Sequence, residues 1–328
     1  MEWLQIPASL KRGYARRPIR LAVNLALLLL VVAFFASRVT EDWQAIMKAG
    51  LALDLRALVF ALLLYGVNYL LFVGAWHRLV FYSGGPTKVR QNALYYSYSY
   101  LARLLPTPLW HHASRIRLYT QAGMRKRSAL TITILETVLQ ISTGVAFYLL
   151  ITIQSPVSIT LILVIFLAAA LSFAYRHRWK KLRVMRILRE ANLGLKVSNL
   201  AVLSALYLLT WIIAGPFLHF ALSAFSTIPP PSMLDLWRIW TLSSLVAYIG
   251  AYTLGGIGIL REFTMIWLLS PWYPPPTALI ITVGVRLIMI LAGLLFPLAT
   301  VGFLRLSSTP METLVSKASD PTLTRERR

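Results

Sequence analysis

The chain is predicted to be an all-α polytopic integral membrane protein, with about six full transmembrane helices and two re-entrant broken-helix hairpins forming an inverted repeat. Three observations predict this. Of its 328 residues 58% are hydrophobic and the mean hydropathy is +0.67, whereas soluble domains average about 45–50% apolar residues. The apolar residues gather into runs long enough to cross a bilayer core, which takes about 17–25 residues. The 33 Lys and Arg against 11 Asp and Glu, a net charge of +22, fall mainly in the links between those runs. In a soluble protein such an excess would indicate nucleic acid. Between apolar segments the positive-inside rule accounts for it, and no nucleic-acid partner is expected.

In chain order, the stretch 1–20 carries Lys11, Arg12, Arg16, Arg17 and Arg20 ahead of the apolar run Leu21–Ser37. It has the look of a signal peptide, but Phe34 and Phe35 before Ala36 make a poor cleavage context, so a retained first helix is expected. Further full spans are predicted at Leu55–Val80, Ala129–Ile153, Ser158–Tyr175, Val197–Leu222 and Ala278–Leu304. Two apolar segments are broken. Asn92–Leu105 runs into Pro106-Thr107-Pro108, and Leu236–Ser270 is interrupted at Leu254-Gly255-Gly256.

Loop charge assigns sides. The N-terminus, the region from Lys88 to Arg127, the loop Arg176–Lys196 and the tail 305–328 are basic. Gln154-Ser155-Pro156, Ser223–Ser232 and Pro271–Pro276 carry no charge. With every basic region in the cytoplasm, the first broken segment dips in from the cytoplasmic side and the second from the opposite side. Opposed re-entrant hairpins are the arrangement of inverted repeats in transporters. Both termini are then cytoplasmic, the tail disordered, and the location the cell membrane; a plain eight-helix arrangement keeps the same termini inside. Within 176–196, Trp179, Leu182, Met185, Leu188 and Ala191 recur at helical spacing among Arg and Lys, the pattern of a basic amphipathic helix on an anionic lipid surface.

Four ionisable residues fall at bilayer depth. At 1.5 Å per residue, Glu136 lies about 12 Å from one face, Arg103 about 18 Å, and Glu262 and Arg286 each about 13 Å from the other face. All four are therefore near the midplane of a core about 30 Å thick. Buried charge of this kind marks pathways. The structural alternative is salt bridging alone, Glu262 with Arg286 and Glu136 with Arg103. Arg261 precedes Glu262 and is ranked slightly below it. His111-His112 follow the proline break and are expected to diverge on a helix, making a poor metal site but a polar lining for a headgroup. No metal and no cofactor are expected. Absence of cysteine excludes disulfides and a thiol nucleophile. No Walker A motif, His-Glu-x-x-His or Gly-x-Ser with a partnered His is present, so no recognised catalytic motif supports an enzyme.

Leu254-Gly255-Gly256-Ile257-Gly258-Ile259-Leu260-Arg261-Glu262 resembles the Pro-Gly-Gly-Leu-Gly-x-x-Glu signature of the lysylphosphatidylglycerol synthase transmembrane, or flippase-like, family. Leu105-Pro106 through Arg115, Gly123, Ala129 and Glu136 is similar to that family's other half-motif, and Val285-Arg286-Leu287 also matches its order. The likeness spans roughly residues 90–300. It departs at Thr253-Leu254, where the family has proline, at one extra residue before Glu262, and at His111-His112, where small residues are usual. The resemblance implies a single flippase-like transmembrane domain over 21–304. No aminoacyltransferase domain follows it, so the translocation half alone is implied.

The expected function is translocation of a phospholipid or polyprenyl or glycolipid headgroup through a midplane polar cavity. Arg103, Arg115 and Arg286 would meet phosphate, while Glu136 and Glu262 orient the arginines or meet a cationic headgroup. Arg261, His111 and His112 complete the predicted substrate-binding set. Pro106, Pro108, Gly255, Gly256 and Gly258 would supply the helix breaks. Expected partners are membrane lipids as substrate, an anionic lipid surface along 176–196, and further copies of the chain as a homo-oligomer. An intramembrane lipid-modifying transferase and a scaffold of a lipid-synthesis complex are the alternatives.

Overall fold

The computed structural model describes residues 53–104, 109–153, 196–253 and 260–306. Every regular element among them is helical: α1 (Leu55–Tyr82), α2 (Val89–Leu101, continued by a 3-10 turn at Ala102–Leu104), α3 (Leu109–Gln121), α4 (Lys126–Thr152), α5 (Val197–Ser223), α6 (Met233–Thr253), α7 (Leu260–Leu269) and α8 (Pro275–Leu306). Four of them, α1, α4, α5 and α8, are long and apolar enough to cross a membrane, and they coincide with four of the six full spans expected. The other two, at 21–37 and 158–175, lie outside the described residues, as do the termini 1–20 and 307–328 and the basic segment 176–195. Pro106, Pro108, Gly255, Gly256 and Gly258 lie outside them too.

Local chemistry sets the ends of these helices. Asp54 caps α1, its carboxylate accepting from the Arg56 and Ala57 amides at 2.8 and 3.3 Å, which satisfies two of the donors a helix start leaves open. At its other end Gly84 (φ +70°) turns the chain and Gly85 N–H returns to Val80 O at 3.0 Å. Gly123 (φ +90°) does the same after α3, with the Met124 amide donating to Tyr119 O at 3.0 Å. A residue with a Cβ would be strained at either position. α8 continues through Arg305 and Leu306, further than the expected start of the tail, because the Arg305 guanidinium reaches the Tyr98 hydroxyl on α2 at 2.5 Å.

Contacts between helix termini order the bundle. Asp54 N–H donates to Ala224 O at 3.0 Å and Arg238 Nη2 to Ile151 O at 3.0 Å, so the starts of α1 and α6 share one end with the finishes of α4 and α5. Arg90 on α2 bonds Leu304 O, so α2 begins at the other end, beside the finish of α8. α2 and α3 have 13 residues each, about 20 Å, too short for a core of about 30 Å. They pack against each other as a hairpin that enters and leaves at this second end.

The second break has different proportions. α6 has 21 residues and α7 only 10, or about 31 and 15 Å. α6 therefore reaches most of the way through before α7 turns back against it. The two dips oppose each other in direction but not in arm length.

Aromatic residues fill the core. Trp211, Phe217, Trp240 and Tyr273 anchor one cluster, and Tyr69, Trp76, Tyr96, Tyr119 and Tyr207 anchor another. Large apolar residues are exposed along helix faces, Val59, Leu63, Val67 and Leu70 on α1 and Val283, Leu287, Leu291, Leu295 and Leu298 on α8. Such stripes suit hydrocarbon rather than water. Where helices approach closely the sequence has glycine: a Cβ at Gly66 would lie 2.5 Å from the Phe296 ring, while Gly74 has nothing within 4 Å. Gly66→Leu is expected to lower stability in detergent by about 1–3 kcal/mol and Gly74→Ala to leave it unchanged or slightly raised, as read by thermal unfolding of the purified protein.

Candidate functional site

On α3, His111, Arg115 and Tyr119 recur every fourth residue and so share one face, which is buried. Arg115 is 0% and Glu136 2% exposed, and Arg115 Nη1 donates to Glu136 Oε2. Arg115 Nε donates to Ser99 Oγ on α2 at 3.1 Å. The guanidinium lies over the rings of Trp76 and Tyr96, 4.2 and 4.6 Å from their centroids. Trp76 Nε1 donates to the Tyr119 hydroxyl at 2.8 Å, and that hydroxyl donates to Asn92 Oδ1 at 2.8 Å. Desolvation of a lone charge would cost several kcal/mol. Here the opposite charge, a hydroxyl and two ring faces offset it.

The pairing differs from expectation. Glu136 bonds Arg115 and not Arg103, because the short link at Gly123 folds α3 back along α4 and brings Arg115, near the middle of α3, level with Glu136. His111 and His112 do not diverge. Their rings meet, with centroids 3.7 Å apart, and no third metal-ligating side chain joins them among the described residues.

The second half of the site is built on α7 and α8. Glu262 stands in the first turn of α7, where the helix dipole favours a carboxylate. Arg286 Nη1 donates to Glu262 Oε1 at 2.6 Å, and Arg261 Nη2 lies 3.5 Å from the same oxygen. Two arginines thus share one carboxylate oxygen, while Glu262 Oε2 has no hydrogen-bond partner. Arg261 also lies 4.9 Å from the Trp240 ring centroid and within 2.6 Å of Met289 Sδ. Arg286 is 45% exposed, set in the apolar stripe between Val283 and Leu287. This half is open where the first is sealed.

Arg103 and a pair of tyrosines join the halves. Arg103, on the 3-10 turn at the tip of the α2–α3 hairpin, lies 4.5 Å from the Tyr100 ring centroid. The hydroxyls of Tyr100 and Tyr65 are 2.6 Å apart. Arg103 is within electrostatic reach of Glu136, Tyr96 and Tyr248, and Tyr65 is within reach of both Arg103 and Arg261. The charged groups form one seam, from Arg115 and Glu136 through Arg103 and the tyrosines to Arg261, Glu262 and Arg286. Tyr65 is ten residues into α1, about 15 Å from its start, so the seam crosses near mid-height.

The structure thus brings together Arg103, Arg115, Glu136, Arg261, Glu262 and Arg286, with His112 facing Arg103 and Arg115. Sequence reasoning missed the aromatic partners: Tyr65, Trp76, Tyr96, Tyr100 and Trp240, and with them Ser99. One signal was present, the run Tyr95-Tyr96-Ser97-Tyr98-Ser99-Tyr100, too polar for a lipid-facing helix and rich in groups that hydrogen-bond and stack. Comparison with family models, curated proteins and solved structures gives no match to this chain. Function is therefore argued from geometry. Glu136→Ala is expected to destabilise the protein by about 3–5 kcal/mol, since it strands the Arg115 charge, and Arg115→Met combined with Glu136→Leu to recover most of that loss. Thermal unfolding in detergent of the two variants checks both outcomes.

Proposed function

We propose that the protein moves the headgroup of an anionic lipid between leaflets, with the seam of arginines as its path. The observation that carries this reading is the Glu262–Arg286 pair. It lies near mid-height, opens at Arg286 onto an apolar face that suits lipid tails, and continues inward to Arg103 and the buried pair. With Arg286 45% exposed, the pair is within reach of a group that comes from outside the bundle. A headgroup arriving from the side could meet the arginines while its acyl chains stay in hydrocarbon.

Two further features support the reading. The opposed dips of α2–α3 and α6–α7 put broken helix where transporters place their binding sites. The resemblance of Arg115 and Glu136 on one side, and Glu262 and Arg286 on the other, to the lysylphosphatidylglycerol synthase transmembrane family points to the same activity. In the membrane the end carrying Lys88, Arg90, Arg125, Lys126, Arg127 and Arg305 would face the cytoplasm by the positive-inside rule, which makes the cell membrane the proposed location.

Reconstitution into proteoliposomes with a fluorescent anionic lipid in one leaflet tests this. The native chain should equilibrate the label between leaflets, and Arg286→Ala and Glu262→Gln should each slow it by about ten-fold or more. Full translocation by both variants would remove the site from the path.

A further inference from the structure

The outward side of α3 carries a groove that the seam does not use. Its buried side holds His111, Arg115 and Tyr119. Ala113, Ile116, Arg117, Thr120 and Gln121 lie on the opposite side and, with Lys126 at the start of α4, line a cavity of about 470 Å³. That size suits a small ligand. No carboxylate lines it, and among the described residues neither Arg117 nor Lys126 makes an ion pair or a side-chain hydrogen bond.

The start of α4 adds to the positive field. Its N-cap residue, Arg125, makes no side-chain capping bond, and no acidic residue stands in its first turn. No carboxylate of that turn therefore answers the positive end of the helix dipole. An anion between Arg117 and Lys126 would meet two cationic side chains and a helix start together.

Depth decides what the anion is attached to. α3 returns to the basic end of the bundle at Gln121, and at 1.5 Å per residue Arg117 lies about 6 Å below it, Ala113 about 12 Å and Trp110 about 16 Å. Trp110 is 53% exposed, and α4 exposes Leu130, Ile134 and Val138 in succession after Lys126. The groove thus runs from charge and hydroxyl at the interface, past a small residue, to apolar surface. A phospholipid has the same order, from phosphate through glycerol to acyl chain. A soluble anion would use only the upper part.

We infer that this groove binds one anionic phospholipid from the leaflet at the basic end, its phosphate between Arg117 and Lys126 and an acyl chain along Ala113 and Trp110. The site lies on the far side of α3 from the seam and does not depend on lipid carriage. A lipid held there ties the returning limb of a hairpin too short to cross to the start of α4 at the interface.

The chain has no cysteine, so Thr120→Cys places a single thiol in the groove and Thr87→Cys a single thiol at the same end, on an exposed residue outside it. The test is the rate at which a neutral maleimide modifies each full-length variant in detergent micelles containing phosphatidylglycerol, phosphatidylcholine or inorganic phosphate. Phosphatidylglycerol should slow the Thr120→Cys variant about five-fold or more relative to phosphatidylcholine, and the Thr87→Cys variant by less than about two-fold. Adding Arg117→Gln and Lys126→Gln, both at exposed positions, should remove the protection while the native elution profile is kept. Equal slowing by the two lipids, or protection that survives loss of both charges, overturns the anionic requirement. Equal slowing of both thiols overturns the groove in favour of general surface charge. Inorganic phosphate protecting as well as phosphatidylglycerol upholds the anion contacts and overturns the lipid. No protection by any probe overturns the site.

Discussion

The ion pair of Arg115 and Glu136 is the constraint around which the described structure is organised. It ties α3 to α4 directly and, through Ser99 and the rings of Trp76 and Tyr96, ties both to α2 and α1. A full charge in an apolar interior demands partners on every side, and four helices supply them. The chain of hydroxyls and indole from Trp76 through Tyr119 to Asn92 extends the same network towards the basic end of the bundle. A short hairpin that does not cross the membrane can hold its position this way, because much of its polar face is bonded by protein, although Arg115 Nη2 and Glu136 Oε1 are buried without a hydrogen-bond partner.

The seam combines two kinds of charge in one layer. The Arg115 end is neutral, sealed and built from residues of four helices. The Arg286 end is open on one flank and held by a carboxylate shared between two arginines. A sealed pair fixes geometry. Tyr65 and Tyr100 lie where one regime gives way to the other, and they provide hydroxyls and ring faces without adding charge.

The two helix breaks serve this arrangement differently. The α2–α3 arms are equal and end near mid-height, which delivers Arg103 to the centre on a tight turn. The α6–α7 arms are unequal. The long α6 carries Tyr248 past the centre, and the short α7 sets Arg261 and Glu262 in its first turn against α8. Opposed entry places Arg103 and the first turn of α7 near mid-height.

Composition and periodicity alone determined the membrane class, the four long helices and the positions of the breaks, because a bilayer imposes a length and an apolar content on every span. They also located Arg103, Glu136, Arg261, Glu262 and Arg286, which stand out against an apolar background, whereas Arg115 sits in a polar, basic stretch and entered only through the family resemblance. Which arginine meets Glu136 could not be read that way. Depth along a helix is a one-dimensional coordinate, and it does not say which limb of the hairpin lies against α4. Only the folding of α3 along α4 decided for Arg115 and freed Arg103. The Tyr65–Tyr100 bridge between the half-sites is likewise tertiary, because it depends on how side chains from separate helices turn towards one another. So does the difference between a sealed pair and an open one: exposure is a property of packing, and the residues of the two pairs are chemically alike.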